Sequence, residues 1–220
     1  MKNSSNSNFG VKKLAVLGLF AALSYISSVL IRIPIGSFLT YDIKDVFLAV
    51  CGFLYGPSCL VPVIGVVSFL EMATVSSTGI IGALASFLSS ASFVLVSAAI
   101  YKYKRTLLGA VIGLIFGTVA LTLVMLIWNL FVTPIYLGIP LEGVKDILLP
   151  VVLPFNIIKG ALNSAIIMLI YKPLVKTLSR VGLLEKESTP FKFNKKTVVV
   201  ILASMLIIAV CVFVLISALY

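Results

Sequence analysis

The chain has 220 residues, 61% of them hydrophobic and only 11% charged, with a mean hydropathy of +1.22. A soluble domain carries about 25% charged residues, so a soluble core of this size cannot hide the apolar excess and a bilayer must take it up. The net charge of +10 does not indicate nucleic-acid binding, because the basic residues sit at the ends of apolar segments rather than on one face of a domain. The chain has no histidine, which removes the commonest metal ligand and neutral-pH general base. Cys51, Cys59 and Cys211 lie isolated in apolar stretches without metal-type spacing.

Residues 1–12 read as a cytoplasmic N-terminus. Lys12 and Lys13 then precede an apolar run that is long for a signal peptide and lacks a small-x-small cleavage site. Taking about 20 apolar residues per membrane crossing, spans are expected near Lys13–Ile31, Val46–Tyr55, Leu60–Met72, Ile80–Tyr101, Leu107–Trp128, Asn156–Leu174 and Thr197–Leu219. The second and third are short and punctuated by Gly56, Pro57 and Pro62, which predicts broken or tilted helices of the kind that line a cavity or pack with a kink. Ser179–Lys196 is polar and reads as a cytoplasmic linker, leaving the last span as an appendage. The fold class is therefore all-α: a polytopic domain over 13–178 with six helices, a linker over 179–196 and an additional transmembrane helix over 197–220.

Placing the N-terminus in the cytoplasm puts 13 of the 17 Lys and Arg on the cytoplasmic side. Arg32, Lys44 and Lys145 fall outside, and Lys159 falls within a span. The reverse orientation would violate the positive-inside rule. The outer connections are then Arg32–Asp45, Glu71–Gly79 and Asn129–Phe155. The last is long and apolar, with four prolines (Pro134, Pro140, Pro150, Pro154), and is expected to fold back as a lid or pocket wall.

No catalytic set emerges. There is no histidine for a Ser-His-Asp triad and no GxxxxGK[ST] loop to hold ATP. The outer carboxylates Asp42, Asp45, Glu71, Glu142 and Asp146 fall at loops or span ends, not in a paired intramembrane site. Lys159 stands out, because an ionisable group inside a span costs about 2.5–3.5 kcal/mol on insertion scales, unless it snorkels to the interface. Asn156, Lys159 and Asn163 follow i, i+3, i+7 spacing and share one helix face, entered at Pro154. Asn129 ends the preceding span at the same depth. Such amide and ammonium donors suit the carbonyl and imide edge of a flat heterocycle. Phe38, Leu39, Tyr41, Trp128, Tyr136 and Phe155 are available as apolar walls. Asn163 is better suited to a helix–helix hydrogen bond than to a ligand. Gly18 and Ala22 form a small-xxx-small pair, fit either for packing inside the bundle or for docking another membrane subunit.

The runs Leu39-Thr-Tyr-Asp-Ile-Lys-Asp-Val46 and Gly52-Phe-Leu-Tyr-Gly-Pro57 resemble the first loop and second helix of energy-coupling-factor (ECF) transporter S components. Thr78-Gly-Ile-Ile-Gly-Ala-Leu-Ala-Ser-Phe87 resembles their fourth-helix entrance. Trp128-Asn-Leu-Phe-Val-Thr-Pro-Ile-Tyr136 and Pro154-Phe-Asn-Ile-Ile-Lys-Gly160 are similar to the riboflavin-specific branch. The resemblance covers roughly residues 10–180. It implies a non-enzymatic, six-helix membrane subunit in the plasma membrane with no metal and no cofactor beyond riboflavin as its transported ligand, FMN being a further candidate. Its implied partners are a transmembrane coupling protein and two ATPase subunits. The implied ligand contacts are Leu39, Thr40, Asn129, Asn156 and Lys159, with Gly18 and Ala22 on the docking face. Glu71 stands where a basic or neutral residue is expected, which bears on acceptance of a phosphorylated flavin. The alternatives are an S component for thiamine, lipoate or a queuosine precursor, or a structural membrane subunit without a ligand.

Overall fold

The computed structural model describes residues 3–35, 39–76, 78–180 and 195–217. The elements run α1 (Asn3–Leu30), β1 (Arg32–Ile35), β2 (Leu39–Asp42), α2 (Lys44–Tyr55), α3 (Leu60–Thr74), α4 (Gly79–Tyr103), α5 (Leu107–Leu137), α6 (Leu141–Ile147), α7 (Leu153–Arg180) and α8 (Lys195–Ser217). Five stretches are long and apolar enough to cross a membrane: Gly10–Leu30, Pro57–Thr74, Gly79–Tyr103, Leu107–Tyr136 and Leu141–Tyr171. The molecule is a multi-pass helical membrane protein, as its composition requires.

The connection after α1 departs from pure helix. It forms an antiparallel hairpin pairing Arg32 with Asp42, Ile33 with Tyr41, Pro34 with Thr40 and Ile35 with Leu39. β1, with Pro34 on an edge strand that tolerates it, is largely exposed, whereas β2 is buried along most of its length.

α2, with 12 residues, rises about 18 Å at 1.5 Å per residue and is too short to cross the hydrocarbon core. It is instead enclosed by α1, α4 and α7. Val46, Leu48, Ala49, Val50 and Phe53 pack there with Phe20 of α1, Leu60 and Ile64 of α3, Phe93 of α4, Leu121 of α5 and Ile167 of α7. A single bend over Pro57–Cys59 joins α2 to α3, which accounts for the punctuated second and third spans.

On α3, the buried residues Leu60, Val63, Ile64, Val67, Ser68 and Glu71 follow one helical stripe, so Glu71 is turned into the bundle rather than toward the connection it precedes. α4 and α5 approach closely through glycine. A Cβ on Gly113 would lie 2.7 Å from the Ser97 carbonyl oxygen, and one on Gly117 would lie 2.6 Å from that of Phe93. This is the small-xxx-small solution to helix contact in lipid.

The expected outer loop over Asn129–Phe155 is not a loop. α5 continues through Pro134 to Leu137 and stops on Gly138, which has the left-handed φ of 65° that favours glycine. α6 and a π-helical turn over Leu148–Val152, containing Pro150, then lead into α7. In lipid an unpaired backbone amide costs several kcal/mol, so the chain keeps helical hydrogen bonding past Pro134, Pro150 and Pro154 and leaves it only over Gly138–Pro140. α8 is more than an appendage, since it packs along α7. Of the linker expected over Ser179–Lys196, residues 181–194 lie outside the described residues, as do residues 218–220 of the expected last span.

Candidate functional site

At the hairpin end of the bundle, β2, α2, α3, α4, α5 and α7 surround one cavity. Leu39, Met125 and Phe155 give its lining apolar surface, Asn156 and Lys159 give amide and ammonium donors, and Thr40, Ser76, Thr78, Ser86 and Ser89 give hydroxyls. The cavity therefore offers apolar surface for a flat body together with polar groups for its edge and its hydroxylated substituents.

Four of the expected ligand contacts, Leu39, Thr40, Asn156 and Lys159, come together here. Asn129 does not line this cavity. It is buried on α5, where its Nδ2 donates to the Met125 carbonyl at 2.7 Å and its Oδ1 accepts from the Thr133 hydroxyl at 2.9 Å. Asn156 Nδ2 donates to the Val152 carbonyl at 2.8 Å, which leaves its carbonyl oxygen and second amide hydrogen for a ligand. Asn163, one turn beyond Lys159, is fully buried and accepts from the Tyr41 hydroxyl at 3.1 Å. Of the expected aromatic walls, Phe155 lines the cavity, whereas Trp128 faces a separate surface recess with Phe131 and Tyr136 is exposed. Phe38 lies outside the described residues.

The carboxylates read as loop and span-end groups are instead part of a buried charge cluster. Lys159 Nζ donates to Asp42 Oδ2 at 3.0 Å, and the Lys44 amide donates to Asp42 Oδ1 at 3.3 Å. Lys44 Nζ pairs with Glu71 Oε2 at 2.6 Å and also donates to Ser86, whose own hydroxyl reaches Glu71 Oε2 at 2.6 Å. Ser90 donates to Asp45 Oδ1 at 2.5 Å. Two ammonium groups thus face three carboxylates, all buried. Burial pushes the Asp42 carboxyl up, but Lys159 and Lys44 outweigh it and hold the group below the ordinary carboxylate range. Burial, then Asp42 and Asp45, push the Tyr41 phenol well up, so it remains a protonated donor to Asn163. Among the described residues, Asp45 Oδ2 and Asn163 Nδ2 have no hydrogen-bond partner.

Lys44, Glu71 and Ser86 were not singled out as site residues from sequence. For Glu71 the signal was present, as the eleventh position after Leu60 on the buried stripe of α3. For Lys44 it was not, because a charged residue in a connection between spans meets water and calls for no partner. Gly18 and Ala22 both face away from the bundle, and a Cβ on Gly18 would touch nothing within 4 Å. They do not pack this bundle together.

Residues 12–171 match the family model described as ECF transporter, substrate-specific component. The riboflavin transporter RibU of Staphylococcus aureus is 33% identical over 179 residues, spanning 77% of this chain and 94% of the relative. The riboflavin transporter FmnP of Bacillus subtilis is 27% identical over 173 residues, spanning 73% and 90%. A solved structure, described as the S component of a bacterial ECF transporter, superposes with a TM-score of 0.65 at 35% identity, covering 78% of this chain and 99% of that one. With the family match extending over most of the chain and a bundle of the same architecture, the protein belongs to the substrate-specific components of ECF transporters.

Proposed function

We propose that this subunit binds riboflavin from outside the cell and presents it to a transmembrane coupling protein and two ATPase subunits for uptake. The carrying observation is the single cavity in which Asn156 and Lys159 stand beside Leu39, Met125 and Phe155. The flat ring fits against the apolar residues, its polar edge meets the α7 donors, and the hydroxylated chain meets the Ser and Thr lining. The two curated relatives are both riboflavin transporters by name, which favours this ligand over other small molecules. The orientation follows the positive-inside rule, with the N-terminus in the cytoplasm and the hairpin end facing out. The outward faces of Gly18 and Ala22 suit close approach of another membrane helix. The chain carries no ATP-binding loop, and tight binding alone moves nothing across the membrane.

The test is riboflavin fluorescence quenching with detergent-purified protein, together with its absorbance spectrum for co-purified flavin. Wild-type protein is expected to quench at stoichiometric flavin. Asn156→Ala combined with Lys159→Ala removes a neutral and a charged hydrogen bond, together about 3 kcal/mol, so affinity should fall about 100-fold. A colourless protein that leaves added riboflavin unquenched would sink the assignment.

A further inference from the structure

The family match ends at Tyr171, and the superposed S component is covered almost completely by 78% of this chain. α8 is therefore an addition to the shared core. Its contacts with the rest of the protein are specific. Cys211 is 7% exposed and, with the partly buried Ile208, joins an apolar cluster of Leu39 and Tyr41 from β2 and Phe155 and Leu162 from α7. Leu39 and Phe155 turn their other surfaces to the cavity. Other side chains of α8, among them Val199, Leu202, Met205 and Leu206, are exposed as lipid-facing residues would be.

We infer that α8 is a positioning element for the binding site, in which Ile208 and Cys211 hold β2 against α7 and so hold Leu39 over the cavity. A two-stranded hairpin is marginal alone, and these strands are four residues each. β2 is kept in place by what it touches. Polar ties run to α7, from Asp42 to Lys159 at 3.0 Å and from Tyr41 to Asn163 at 3.1 Å. Leu39 and Tyr41 of the same strand share their apolar cluster with Ile208 and Cys211 of α8. In lipid such a contact acts through packing, so loosening it shortens the time that β2 stays seated without removing a ligand contact. The effect belongs in the dissociation rate.

The inference rests on riboflavin as the ligand only for one of its two readouts. In full-length protein, the Ile208→Ala/Cys211→Ala pair is expected to speed riboflavin release, followed as fluorescence recovery, about fivefold, with association little changed. Leu202→Ala/Leu206→Ala on the exposed face should leave release unchanged. Combining the first pair with Tyr41→Phe should give less than the product of the separate effects, because both act through β2. Hydrogen exchange at the amides of Leu39–Asp42 should quicken in Ile208→Ala/Cys211→Ala whether or not flavin is present. Cys211→Ala alone serves if the pair does not fold. Unchanged release and unchanged exchange in a folded variant, or a fully multiplicative combination with Tyr41→Phe, overturns the inference. Wild-type protein that fails to bind riboflavin overturns the ligand assignment instead, and the exchange measurement then decides the role of α8.

Discussion

Asp42 accepts from Lys159 with one oxygen and from the Lys44 amide with the other, so one carboxylate anchors both the α7 donor and the start of α2. Removing one partner of a buried pair strands the other charge, at about 3–5 kcal/mol. Asp42→Asn should therefore lower the melting temperature in detergent markedly and weaken flavin binding with it. The pH dependence has a definite sign. The folded carboxyl lies below its ordinary value, near 3.9 when unfolded. The stability contributed by the pair is complete above about that value and is lost as pH falls through the lower folded one. Thermal melts should show this loss on the acid limb only, and Asp42→Asn should flatten it. Lys159 was legible in the sequence because a cation within a span demands an explanation. Its partner was not, because 117 positions separate the two residues and no local pattern links them.

The helices were legible wherever apolar length or periodicity was strong, and misread where proline punctuated an apolar stretch. Pro134, Pro140, Pro150 and Pro154 in the stretch from Asn129 to Phe155 suggested a loop by the rules of water-soluble proteins. The bilayer changes the balance, because helical hydrogen bonding has no aqueous substitute there. The α4–α5 contact shows a second element-scale rule. Gly113 and Gly117 sit where any Cβ would enter the backbone of α4, so Gly117→Val should separate the two helices. Overpacking of this kind costs about 1–3 kcal/mol, read as a drop in melting temperature. Because Met125, two turns further along α5, lines the cavity, the same variant should also weaken flavin binding modestly.

For the whole molecule, the polar stretch over Ser179–Lys196 suggested a last span set apart from the rest, and nothing in that stretch signalled that α8 packs along α7. Among the described residues, nothing packs on the face of α1 bearing Gly18 and Ala22, which lies on a different helix from Asn156 and Lys159 of α7. Gly18→Leu is thus expected to preserve riboflavin quenching while weakening co-purification with the coupling protein by about tenfold or more. Loss of both together would show instead that α1 supports the bundle.

The short α2 and its charges also bear on how the chain enters the membrane. Asp42, Lys44 and Asp45 surround the start of a helix only 12 residues long, a segment with little reason of its own to leave the translocon for lipid. Its neutralising groups arrive later in synthesis, Glu71 on α3 and then Lys159 on α7. α2 is consequently expected to settle into the bilayer late, as a passenger of helices made after it. With the native cysteines replaced, Thr40→Cys should be open to aqueous labelling in a nascent chain arrested at Pro150 and protected in the released full-length chain.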